Sequence, residues 1–139
     1  MNTKLRVLVA DDHEHCRWMM ARFLSVQCDV VAAVVDGRKL VDTAVALLPD
    51  VIVSDISMPL LSGIQAMEEL NKKGYEIPFV LVSTADAGAE ECIQRGAKAF
   101  VNKSDIGHDL LAAVFSASVG QICVSRSAEE SRSNALTWA

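Results

Sequence analysis

Apolar residues fall into two alternating rhythms along the chain. Short, mainly apolar runs, Leu5 to Ala10, Val30 to Val35, Val51 to Val53, Pro78 to Ser83 and Lys98 to Val101, have the length and β-branched content of strands buried on both faces of a parallel sheet. Between them, apolar positions recur every three or four residues. Cys16, Met19, Met20, Phe23 and Leu24 predict a first helix, and Asp12 is a candidate for its N-cap. Leu40, Ala44, Leu47 and Leu48 follow the Asp36-Gly37 turn and predict a second helix, stopped by Pro49. Ile64, Met67 and Leu70 mark a third, running to Gly74, and Leu111, Val114, Phe115 and Ser118 mark a last one that stops at Gly120. The segment from Asp86 to Arg95 has only a thin stripe and contains Gly88, so its helix is the weakest of the set.

Five strands alternating with helices predict an α/β domain with a parallel sheet and helices on both faces. Right-handed crossovers leave few topologies, and the flavodoxin-like doubly wound order 2-1-3-4-5 suits five such units. That order places the first and third strands side by side. Asp11, Asp12, Asp55, Thr84 and Lys103 then all stand at carboxyl strand ends, on one rim. The domain is expected over residues 1–120. The Ser-rich stretch 121–139 reads as a linker-like tail or a frayed end.

The stretch VIVSDISMPLLSG, Val51 to Gly63, sets the local grammar of the rim. Asp55 closes a buried strand, and Pro59 forces the chain out of the sheet into an irregular loop. Ser62 and Gln65 then have the spacing of a capping box. A carboxylate in that place faces the crevice where open α/β sheets bind ligands.

Composition narrows the reading. The 139-residue chain is 51% hydrophobic and only 5% aromatic, enough for one aliphatic core without disulfides. Cys16, Cys28, Cys92 and Cys123 form no C-x-x-C pair, so they read as reduced, mostly buried thiols of a cytosolic protein. No run approaches a membrane span, and the apolar start is too short for a signal peptide. A net charge of -5 with no dense basic block argues against nucleic-acid binding by this chain itself.

Three carboxylates on one rim repel, by roughly 4 kcal/mol per pair at about 4 Å and an effective dielectric of about 20. Either one acid takes a proton with a raised pKa, or a divalent cation binds. An all-oxygen site with room for water suits magnesium. Asp55 then becomes a candidate nucleophile towards phosphorus, and the Lys103 ammonium can meet a phosphate oxygen. Taken singly, Asp11 and Asp12 read as helix caps, Thr84 as a cap of the fourth helix, Lys103 as a solvated lysine and Phe100 as core. Their joint placement favours a site. His13 and His15, two apart on a helix, point to different sides and do not form a transition-metal pair.

VLVADD, DISMPLLSG, LVSTA and AFVNK, in this order and spacing from residue 5 to about 120, resemble the motifs of the response-regulator receiver domain, the phosphoacceptor module of two-component signalling. The resemblance implies that Asp55 takes a phosphoryl group from a phosphohistidine on a sensor histidine kinase or phosphotransfer protein. It implies Mg2+ held by Asp12 directly, by Asp11 through water, and by Asp55 and the Ser57 carbonyl. Lys103 would pair with the phosphate, and Thr84 and Phe100 would move together as the switch, read out by a partner or by dimerisation. Ser57 and Asp86 occupy the flanking variable positions. Such a domain assists its own phosphorylation and dephosphorylation and is not an enzyme acting on other substrates.

Ser104 stands where many members have proline, and it resembles receivers that precede helix-turn-helix transcription domains. Since no such domain follows Lys103 here, the expectation is a stand-alone receiver or one ending in a linker before an absent effector. Two further readings stay open. One is a Mg2+-dependent phosphatase or phosphotransferase with an Asp nucleophile, although those of the haloacid-dehalogenase type carry Asp-x-Asp on the first strand. The other is a receiver-like interaction module that never meets phosphate.

Overall fold

The computed structural model describes residues 4–85 and 88–128. Strands and helices alternate as β1 (Arg6–Ala10), α1 (Glu14–Ser25), β2 (Asp29–Val34), α2 (Gly37–Leu47), β3 (Val51–Asp55), α3 (Gly63–Lys72), β4 (Phe79–Ser83), α4 (Ala89–Gln94), β5 (Ala99–Asn102), α5 (Ile106–Ser118) and β6 (Cys123–Val124). A 3-10 turn, Lys103–Asp105, joins β5 to α5. All neighbouring strands pair in parallel, in the order β2-β1-β3-β4-β5-β6.

The expected α/β architecture and the order of the first five strands are present, but the sheet has six strands rather than five. The additional strand comes from the stretch expected to be a tail. Cys123 and Val124 pair with Ala99 and Phe100, and Ser125 and Ala128 are buried beyond them. Two residues are too short a run to declare a strand by pattern; the exposed edge of β5 provides the template. The rest of that tail, 129–139, lies outside the described residues.

Side chains alternate across the strands, as a pleated sheet covered on both faces requires. Val7, Val9, Val51, Val53, Val80, Val82 and Val101 meet α1 and α5 through Met20, Leu24, Leu110 and Val114. Leu8, Ile52, Leu81 and Phe100 meet the opposite layer through Leu40, Met67, Leu70 and Cys92.

Three helix stripes differ from expectation: in α2 the buried positions include Leu40, Val41 and Ala44, whereas Leu47 is 36% and Leu48, the left-handed C-cap, 55% exposed. In α5 the buried positions are Ile106, Leu110, Ala113, Val114 and Ala117, whereas Phe115 is 39% exposed. The helix starts at Ile106, and an i, i+4, i+7, i+8 series from there excludes position 115. In α1 only Met20 and Leu24 are buried, and Phe23 is 45% exposed beside the start of α5. The N-cap of α1 is His13, not Asp12, and its side chain makes no capping bond. Instead the His13 amide donates to Asp11 Oδ1 at 2.9 Å, so the preceding acid ties down the turn. The weak helix proves short, six residues opened by Gly88, and Asp86 lies outside the described residues.

Candidate functional site

Asp11, Asp55 and Lys103 come together at the carboxyl rim because β1, β3 and the end of β5 deliver them there. Asp11 follows β1 directly and is fully buried, its amide donating to Val34 O at 3.1 Å. Asp55 is the last residue of β3 and is 5% exposed. Two strands away, Lys103 opens the 3-10 turn, and its Nζ lies 3.1 Å from Asp11 Oδ2 and 3.3 Å from Asp55 Oδ2. The contact with Asp55 has hydrogen-bond geometry. That with Asp11 is close but not aligned, so Asp11 Oδ2 is buried without a hydrogen-bond partner among the described residues.

Asp55 stays where it is because the chain behind it closes tightly. The Gly63 amide donates to Ile56 O at 2.8 Å, and Ser54 Oγ donates to Asp55 O at 2.8 Å. A Cβ at position 63 would overlap the Asp55 carbonyl oxygen and lie 2.9 Å from Ser54 Oγ, so only glycine permits this approach. The expected capping box forms in full, with Gln65 N donating to Ser62 Oγ and Ser62 N donating to Gln65 Oε1. Leu60, at the loop tip, has a φ of 70° and is 76% exposed.

The acidic group extends to Asp12 and His13. Ligand atoms of Asp11, Asp12, His13 and Asp55 all lie within 4.8 Å of one another. The Asp12 side chain is 31% exposed, and His13 Nδ1 stands 3.3 Å from Asp12 Oδ1 and 3.4 Å from Asp11 Oδ1. By residue spacing, His13 and His15 form no metal-binding pair. His15 indeed turns elsewhere, to stack on Trp18, but His13 belongs to the rim on its own account as the first residue after the acids.

The electrostatics are those of crowded acids. Burial, then the neighbouring Asp11 charge, push the Asp55 carboxyl above its ordinary value, against the pull of Lys103. Burial acts to lower the Lys103 pKa, but contact with Asp11 and the charges of Asp55 and Asp11 outweigh it and hold the ammonium above its usual value. The donor set fits a hard divalent cation. Three carboxylates converge, one buried oxygen has no aligned donor, and one acid is unwilling to carry its charge unaided.

Three predicted residues remain, Thr84, Phe100 and Ser57. Asp55 pairs with Val82, and Ser83, the last residue of β4, pairs with Asn102, the last of β5; Thr84 follows just past β4 and is exposed. Phe100 is fully buried on the sheet face covered by α3 and α4. Ser57 is exposed in the loop after Asp55. At the departure noted in sequence, the Ser104 amide and hydroxyl both donate to Asn102 Oδ1 at 2.9 Å. A proline there has no N–H to donate the first of these hydrogen bonds.

The sequence matches the family model described as response regulator receiver domain over residues 7–115. It is 36% identical over 104 residues to a protein-glutamate methylesterase/protein-glutamine glutaminase of Thermotoga maritima, covering 71% of this chain and 30% of that protein. It is 34% identical over 122 residues to the transcriptional regulatory protein LiaR of Bacillus subtilis, covering 84% of this chain and 57% of LiaR. The chain therefore spans between about a third and somewhat more than half of these relatives. The signal receiver domain of the response regulator NarL from Mycobacterium tuberculosis superposes with a TM-score of 0.81 at 30% identity, covering 86% of this chain and all of that one.

Proposed function

This chain belongs to the response regulator receiver domain family of two-component signalling, and on that premise we propose that Asp55 is its phosphoacceptor. The observation that carries the proposal is the placement of one ammonium, Lys103, within 3.3 Å of Asp55 and 3.1 Å of Asp11 on a buried acidic rim. An Asp55 carboxylate oxygen attacks the phosphorus of a phosphohistidine on a sensor kinase or phosphotransfer protein. The P–N bond breaks, the imidazole leaves with the electron pair, and an aspartyl phosphate remains.

Lys103 is already charged and positioned, so it can neutralise a phosphoryl oxygen without reorganising. Asp11, Asp12, Asp55 and the Ser57 carbonyl would hold Mg2+, which supplies the remaining neutralisation when bound. Asp11, fully buried and braced by the His13 amide, fixes the inner wall of that site. Thr84 moves its hydroxyl to the phosphoryl group, and Phe100 adjusts behind it. The receiver unit spans 1–120, and 121–139 is its C-terminal extension, whose first part docks on β5.

The output belongs to a partner or a linked effector, and the likeness to LiaR favours transcription. No helix among the described residues is long and apolar enough to cross a membrane. The test is incubation with Mg2+ and acetyl phosphate, read by intact mass. The unaltered chain gains one phosphoryl group and Asp55→Asn gains none; equal labelling of both would overturn the assignment.

A further inference from the structure

The turn that carries Lys103 is held at both ends by two serines beyond the matched receiver stretch. Before the turn, the Asn102 amide donates to Ser125 Oγ at 2.9 Å, and the Ser125 amide donates to Phe100 O at 2.9 Å. After it, the Ser127 amide donates to Asp105 Oδ2 and the Ser127 hydroxyl to Asp105 Oδ1, each at 3.1 Å. Arg126, between the serines, is fastened to Asp109 through its amide at 3.0 Å and its Nε at 3.4 Å. Ser125 is 1% exposed and Ala128 fully buried, so the segment is packed as well as bonded. Burial works to raise the Asp105 pKa, but the hydrogen bonds of Ser125 and Ser127 prevail and keep its carboxyl below the ordinary range.

A three-residue turn bonded at 102 and at 105 to the same short segment cannot shift without carrying that segment along. Its first residue is the one whose ammonium meets both acids. We propose that Ser125 and Ser127 are positioning residues for Lys103, clamping its turn so that the ammonium faces Asp55 before a phosphoryl group arrives. By reciprocity, a group captured there tightens the docking of residues 121–128 in turn. The site would thereby be coupled to the chain that continues past β6. This inference rests on the phosphoacceptor reading of Asp55. Preorganisation of this kind raises affinity by removing an ordering cost from the binding step.

The test uses the full 139-residue chain with Ser125→Ala and, as the milder change at a less buried position, Ser127→Ala. Beryllofluoride affinity in saturating Mg2+ is followed by fluorine NMR, and Mg2+ affinity is measured alone. Each variant is expected to bind beryllofluoride roughly three- to tenfold more weakly, the size of one hydrogen bond, with Mg2+ affinity unchanged. In a Lys103→Met background the serine substitutions should make no further difference. Amide exchange at Ser125 and Ser127 should slow when beryllofluoride binds the unaltered chain. Unchanged beryllofluoride affinity, an equal loss for Mg2+, or a loss that persists without Lys103 would overturn the clamp while leaving Asp55 as phosphoacceptor. Failure of the unaltered chain to bind beryllofluoride at all would overturn the phosphoacceptor reading, and the clamp with it.

Discussion

Two connections leave the sheet towards the same rim, and they are built differently. The β3–α3 connection is fixed at every step: Gly63 N on Ile56 O, a complete capping box at Ser62 and Gln65, and a ten-residue helix burying Ala66, Met67 and Leu70. Arg38 of α2 and Arg95 add ion pairs to Glu69 and Glu68 on the outer surface of α3. After β4, by contrast, α4 is six residues long, opens on Gly88 at a φ of 97°, has no side-chain cap at that residue, and buries Ala89 and Cys92. The residue proposed to accept phosphate thus sits beside the longer, side-chain-capped helix, and Thr84, the proposed switch residue, before the shorter one. A nucleophile has to be held; a reporter has to be free to respond.

The largest expected effect comes from breaking the rigid side. Gly63→Ala puts a methyl group against the Asp55 carbonyl, a backbone atom that cannot step aside. It should cost about 3 kcal/mol, at the upper end for overpacking, seen as a lower urea midpoint at constant slope. A loss below about 1 kcal/mol would mean that this turn yields and the contrast is weaker than drawn. Ser62→Ala should cost about 1 kcal/mol and speed amide exchange at the start of α3.

Asp55→Asn should act in the opposite direction. The folded-state pKa of Asp55 is raised, so the stability tied to its protonated form is present below the ordinary carboxylate range. It is lost as pH rises through the raised value. The Asn variant should therefore melt above the parent at neutral pH, and the two should converge in acid. A constant difference across pH would show that neither burial of the Asp55 charge nor its crowding with Asp11 is the cause. The smallest effect is expected on the pliant side. Gly88→Asn meets no atom within 4 Å and keeps a residue that tolerates positive φ, so it should cost only a few tenths of a kcal/mol. Paired with Gly63→Ala, it tests whether two glycines flanking one site differ as the two connections do.

Much of this arrangement can be read from residue order because parallel strands announce themselves by unbroken aliphatic runs and bring their carboxyl ends together. Asp11, Asp55 and Lys103 each follow such a run, and topology alone makes them neighbours. The capping box at Ser62 was equally visible, since it depends on residues three apart. What escaped was set by tertiary contact. Cys123 and Val124 become a strand only because β5 offers an open edge, and Ser125 and Ser127 look like linker serines until Asn102 and Asp105 are seen opposite them. Phe23 and Phe115 count as core by periodicity, yet both helices bury the stripe beside them. His13 reaches the acids because α1 begins one residue later than Asp12 suggests.

The brevity of β6 has a consequence for how the molecule meets its own copies. The strand covers backbone groups on the open side of β5 that a last strand would otherwise leave bare: the Cys123 amide donates to Lys98 O and the following Ser125 amide to Phe100 O. A polypeptide cut at Gly120 would expose that ladder for strands of neighbouring molecules to fill, so shortening the protein there is expected to promote edge-to-edge aggregation.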